Sequence, residues 1–271
     1  MSNSLPRKRQ LGRLVHALRS FQGSARYGIV LLYHTVGTTP RALPAAKFRE
    51  QMAWLHANVA VIDLERLIAG DWPASPSGIS CAITFDDGYA GVYKGAYPVL
   101  REHRFSATVY LTTAAIGATS SLSLDSFAGL YPDDSMLTWD QVKEMIANGI
   151  AVGSHLTAHR DLTSLSRTEA DDELRKSKLE IEQRLGTECT SFAYPWGRYN
   201  QAATSAVRRA GYRSAVIAIH DRILAGTNSN PLEIPRAGVS PEYELQDFIS
   251  VVTGDFDYLG YIQRIRRWRK S

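Results

Sequence analysis

The sequence predicts an α/β protein whose strands form one parallel sheet or barrel. Two features carry that expectation. Short apolar runs alternate with helical segments along nearly the whole chain of 271 residues. Polar residues able to do chemistry also fall just after the apolar runs: His34, Asp86–Asp87, His155 with His159, and Tyr194-Pro195-Trp196-Gly197. In a barrel of parallel strands, such positions converge on one mouth. The composition, 44% hydrophobic and 21% charged, is that of a globular chain long enough for one large core. No internal repeat is visible.

In chain order, residues 1–26 read as a basic helical extension, with Leu11, Leu14, Val15 and Leu18 at helical spacing. Gly28 to Tyr33 is an apolar strand ending at His34. A helix follows over 45–58, with Phe48, Met52 and Leu55 on one face, and Asp63 caps a short one over 64–68. The Pro-, Ser- and Gly-rich loop 71–80 leads to the strand Cys81 to Phe85. Beyond Tyr89 the pattern gives a helix to about Arg101, a strand over 106–111 and a long polar loop over 114–136. That loop has the length of a lid or substrate rim.

Thr138 then caps a helix over 139–147, and Ile150 to Ser154 is a strand that delivers the two histidines. A charged helix over 167–185 stops at Gly186. It leads to a strand over 189–194, a helix over 201–210 and a strand over 213–219. A short strand region over 232–239 and a helix over 242–252 precede a basic end. The domain reading is one main unit over 27–254, flanked by the extension 1–26 and a basic tail over 255–271.

The net charge of +4 lies mostly in two terminal stretches, R-K-R-Q-L-G-R and R-I-R-R-W-R-K. So small and so placed, it argues against a nucleic-acid partner. It leaves open a peripheral contact of the termini with an anionic membrane. Cys81 and Cys189 both sit in apolar contexts and read as buried thiols. No apolar run is long enough to span a membrane. His16 and Arg19 interrupt the basic start too early for a secretion signal, so a cytoplasmic location is expected.

The chemistry centres on C-A-I-T-F-D-D-G-Y, residues 81–89. Adjacent residues in mid-strand point to opposite faces, but this pair sits where the strand stops, and Gly88 permits a sharp turn. Asp86 and Asp87 can then face one pocket. Two histidines four apart, together with a carboxylate, make a metal-binding face with positions left open for water and substrate. Zn²⁺ suits that donor set best, with Co²⁺, Fe²⁺ or Mn²⁺ also compatible.

T-F-D-D-G-Y at 84–89, G-S-H-L-T-A-H at 153–159 and F-A-Y-P-W-G at 192–197 together resemble the polysaccharide deacetylases, in order and in spacing. The resemblance runs over roughly residues 28–240. It implies an irregular (β/α) barrel of fewer than eight strands, and a metal-dependent enzyme that removes acetyl groups from an N-acetylhexosamine-containing saccharide. It assigns Asp87, His155 and His159 as metal ligands and Asp86 as the base that takes a proton from the attacking water. The backbone around Tyr194 and Pro195 would stabilise the oxyanion, and Trp196 would wall the acetyl pocket.

Three departures from the family pattern matter. Leu156 stands where Ser or Thr usually follows the first histidine, so a hydrogen bond is lost or passes to Thr157. Ala193 stands where an arginine usually orients the base, and Arg236 is the candidate substitute. No late histidine follows an apolar strand to act as the acid; instead V-L-L-Y-H at 30–34 shows that pattern at the start. This resembles the circularly permuted branch, similar to enzymes acting on poly-N-acetylglucosamine, and makes His34 the expected general acid, with His220 its rival. The alternative is a catalytically silent saccharide-binding protein of the same fold.

Overall fold

The computed structural model describes residues 26–120, 134–224 and 230–268. The expected helix over 1–26 and the middle of the loop 114–136 therefore lie outside the described residues. Two long strands make the centre, β1 (Tyr27–Tyr33) and β3 (Ile79–Phe85), both buried along their full length. They pair in parallel from Tyr27↔Ile79 to Tyr33↔Phe85, which sets His34 beside Asp86 at the same end of the sheet. Burial on both faces fits their mostly apolar sequences, Y-G-I-V-L-L-Y and I-S-C-A-I-T-F.

On one side of β3 follow β4 (Ala107–Leu111), β5 (Ile150–Ser154), β6 (Ser191–Ala193) and β7 (Ser214–Val216), all parallel. On the other side of β1, β8 (Ile223–Leu224) pairs antiparallel. The seven strands lie in the order β7-β6-β5-β4-β3-β1-β8, while β2 (Ala60–Val61) pairs with β3 and β9 (Ala237–Gly238) with β1. This is the expected mixed α/β fold, a curled, partial barrel.

The segment 231–239 spans the gap between the two ends of the parallel set. The Ala215 N–H donates to the Pro231 carbonyl, the Ile234 N–H to Ala215 and the Ile217 N–H to Ile234. Three residues later Ala237 pairs with Leu31, and the Val239 N–H donates to the Leu32 carbonyl. Arg236 falls between these two pairings and is 1% exposed.

The helices start and stop where their caps dictate. α1 (Ala45–Asn58) buries Phe48, Met52 and Leu55, and Asp63 caps α2 (Leu64–Ala69). The expected helix after Tyr89 runs over 90–103, with a π stretch over Val92–Ala96 that leads into α3 (Tyr97–His103). Pro98 has no N–H for the Lys94 carbonyl, and the Tyr97 N–H reaches back to Val92. Capping boxes open α4 (Trp139–Ala147) at Thr138/Gln141 and α5 (Arg167–Leu185) at Ser166/Glu169; left-handed Gly186 ends α5. α6 (Gln201–Arg209) and α7 (Leu245–Thr253) complete the outer layer.

The segment expected as a basic tail carries α8 (Tyr258–Trp268). Gln263 accepts from the His220 N–H at 2.8 Å, and Arg264 bridges to Asp221 at 2.8 Å. His220 is buried, with its Nε2 3.6 Å from Asp257, the residue before α8. No helix among the described residues is long and apolar enough to cross a membrane.

Candidate active site

The Asp86–Asp87 turn works through backbone geometry. Asp87 (φ 74°) and Gly88 (φ 85°) are consecutive left-handed residues at the end of β3. They reverse the chain so that both carboxylates stay at the mouth instead of splitting between faces. The Asp86 N–H donates to the Tyr33 carbonyl at 3.0 Å, locking the turn to the residue before His34. Leu156, His159 and Trp196 also have positive φ, so the site's loops hold four of the six such non-glycine residues described. Bulky side chains adopt this conformation only under surrounding constraint, and such strain gathers at functional sites.

His155 and His159 come from the loop after β5. Both His Nε2 atoms face Asp87 Oδ1, at 3.3 and 3.4 Å, and all three residues are buried. Their donor atoms lie within 4.8 Å of one another. The His155 Nδ1 bonds to the Ala193 carbonyl at 2.8 Å; as the N–H donor there, it leaves Nε2 as a bare lone pair. Asp87 Oδ1 accepts no hydrogen bond of normal geometry. A buried cluster of lone pairs without a shared hydrogen is the electrostatic signature of a cation site, and Asp87, His155 and His159 fit a divalent ion.

The electrostatics agree. Burial would raise the Asp87 carboxyl, but His155, His159 and His34 hold it down at about 2. Burial and the neighbouring His155 push His159 down to about 4, keeping it neutral as a ligand must be. His155 moves up despite its burial, because Asp86 and Asp87 face it. That upward shift registers negative potential at Nε2, the potential that would also attract a cation.

Asp86 stands apart from this cluster through Arg236. The guanidinium grips the carboxylate with two bonds of 2.6 Å, Nη1 to Oδ1 and Nη2 to Oδ2. Nη1 also donates to Thr84 Oγ1 at 3.1 Å, Nε donates to the Ile217 carbonyl at 3.3 Å, and the Tyr110 ring lies 5.5 Å beneath. Burial alone would raise the Asp86 carboxyl; Arg236 overrides it and lowers it. The guanidinium thus reaches Asp86 from the 231–239 segment, while the Ala193 carbonyl holds His155.

The remaining expected residues divide. His34 follows β1 at the level of Asp86, and its field lowers both carboxylates. Trp196 is 46% exposed at the rim, its ring 4.4 Å from that of His159. The Tyr194 side chain instead packs inward against Phe192 and Tyr199, and its N–H already donates to the Val216 carbonyl at 3.2 Å. Pro195 has no N–H to offer. Beside Leu156, the Thr157 N–H donates to Glu173 Oε2 at 3.1 Å, and its hydroxyl to the Glu173 carbonyl at 3.5 Å.

Sequence reasoning missed Thr84 and Tyr110 as supports for Arg236. Thr84 was detectable, since it shares a strand face with Asp86 two residues on; Tyr110 carried no signal.

Known proteins share both the sequence pattern and the fold. The polysaccharide deacetylase family profile matches residues 74–215, more than half of the chain. YxkH of Bacillus subtilis, named for the polysaccharide deacetylases, is 30% identical over 69% of this chain, and the match spans 63% of its own length, under two thirds. A poly-beta-1,6-N-acetyl-D-glucosamine N-deacetylase of Staphylococcus aureus is 24% identical over 73% of this chain and 67% of its own.

Among solved structures, Streptococcus pyogenes deacetylase PplD in complex with acetate superposes with a TM-score of 0.70 at 21% identity, covering 84% of this chain and 99% of that one. IcaB from Ammonifex degensii gives 0.68 at 21% identity, covering 85% and 97%. With the three motifs gathered at one mouth and the family profile spanning them, this chain belongs to the polysaccharide deacetylase family.

Proposed function

We propose that the protein is a metal-dependent N-deacetylase acting on an N-acetylhexosamine-containing saccharide. The observation that carries this reading is the division of labour between adjacent aspartates. Asp87 faces two imidazole lone pairs, whereas Asp86 is gripped by an arginine. A divalent ion held by Asp87, His155 and His159, with Zn²⁺ the best fit, would polarise the acetyl carbonyl as a Lewis acid and make water nucleophilic near neutral pH. Asp86, kept ionised by Arg236, takes the proton from the attacking water. His34, beside Asp86 at the end of β1, donates a proton to the departing amine nitrogen. Trp196 walls the acetyl group.

The relatives named for poly-N-acetylglucosamine support a hexosamine polymer or a shorter biosynthetic precursor as substrate. The silent-site alternative rested on the arginine missing at Ala193, and Arg236 supplies that charge. Acetate release from N-acetylglucosamine oligomers, assayed with chelated protein before and after adding Zn²⁺ or Co²⁺, tests the proposal. A cytoplasmic location and contact of the basic ends with an anionic membrane remain part of the same proposal; vesicle co-sedimentation checks the contact.

A further inference from the structure

We propose that Arg198 and Asp161 are positioning residues that clamp the two substrate-facing loops together and thereby fix Trp196 against His159. The observation is a closed ring of four side chains. His159 and Asp161, two residues apart, come from the loop after β5; Trp196 and Arg198, also two apart, come from the loop after β6. The Trp196 ring meets His159 at 4.4 Å and 66°. The Arg198 guanidinium covers Trp196, 5.5 Å from its ring. Arg198 Nη1 then donates to Asp161 Oδ2 at 2.8 Å, which closes the ring.

Asp161 is a fixed anchor, because its Oδ1 also accepts the Thr163 N–H at 3.0 Å and the Thr163 hydroxyl at 2.6 Å. The two ring members nearest the chemistry need such an anchor. His159 and Trp196 have φ of 50° and 53°, a conformation that costs on the order of 1 kcal/mol for a bulky residue. Trp196 is also half exposed, so packing alone does not restrain it. The Arg198 side chain is 62% exposed, and an exposed ion pair adds little to global stability. Its effect is therefore local: it stacks on the indole and ties the tryptophan loop to the histidine loop.

The inference rests on the proposed roles of His159 and Trp196, so its test reads metal affinity as well as turnover. Zn²⁺ affinity would be measured by chelator competition, with KM, kcat and melting temperature, for wild type, R198A, R198K, D161N and R198A/D161N. R198A and D161N are each expected to weaken Zn²⁺ binding about tenfold, the lower end of the effect of groups that orient metal ligands. KM should rise more than kcat falls, the melting temperature should hold, and R198K should recover part of the loss. The double variant should be no worse than either single one, because each breaks the same ring.

Wild-type affinity and KM in both single variants would overturn the clamp, as would independent losses that multiply in the double variant. An affinity loss that merely follows a lowered melting temperature would overturn it too. A wild-type protein that holds no metal would overturn the site reading together with the clamp, whereas metal-loaded protein indifferent to the variants sinks the clamp alone.

Discussion

Two adjacent aspartates differ because different cations face them. Asp86 meets a permanent cation in Arg236, whose fork satisfies both oxygens and excludes a metal from the same place. Asp87 meets the two imidazoles of His155 and His159 across 3.3–3.4 Å, leaving room for an ion. Removing Arg236 strands a buried carboxylate. R236A is expected to destabilise the fold by about 3–5 kcal/mol, the usual cost of breaking a buried pair, read as a shifted urea midpoint. R236K should recover charge but not the bidentate geometry, and so restore only part of both stability and acetate release. H34Q, which keeps a polar side chain but cannot give up a proton, should lower kcat by roughly 10²–10³-fold, the range of a lost general acid, with KM little changed.

At the scale of elements, the π turn and the 231–239 segment do the placing. Gly91 and Gly95 let Val92–Ala96 lie directly on the loop after β1. A Cβ on Gly95 would fall inside contact distance of the Val36 carbonyl oxygen, and one on Gly91 would overlap Thr35 Oγ1 and come within 2.8 Å of the same carbonyl. G95A is therefore expected to cost about 1–3 kcal/mol by overpacking, visible as a lowered urea midpoint, and to slow turnover because the loop carries His34.

The helix boundaries were legible in the sequence wherever a cap announced them, as at Asp63, Thr138 and Gly186. The clustering of Asp87, His155 and His159 beside Asp86 was legible because strand ends and motif spacing are local signals. The π turn was not, since Pro98 reads equally well as an ordinary helix feature. The left-handed Asp87, Leu156, His159 and Trp196 were not either, because tertiary contacts impose that conformation on residues whose own preference opposes it. Arg236 could be named as a candidate, but its bonds depend on a segment that links both ends of the sheet.

For the whole molecule, the mouth concentrates buried ionisable groups whose protonation couples to folding. Asp87 is depressed to about 2 from an ordinary 3.8, so its contribution to stability is present above pH 3.8 and is lost as pH falls through 2. Asp86 is depressed as well and acts in the same direction. Chelator-treated protein should accordingly lose stability steeply between pH 4 and 2, and D87N should flatten that slope, as followed by urea unfolding at each pH. Saturating Zn²⁺ near neutral pH should raise the melting temperature of the wild type but not of D87N, because an ion that binds only the folded chain stabilises it by mass action.

We propose that this barrel mouth hydrolyses an N-acetyl group with Asp86 as base and a metal held by Asp87, His155 and His159. The most direct test is acetate release from N-acetylglucosamine oligomers by chelated protein, with Zn²⁺ or Co²⁺ added back, for wild type and D86N. Release is expected only after metal is restored, and none from D86N although D86N still binds metal. Release that persists at full rate in the chelated protein or in D86N would contradict it.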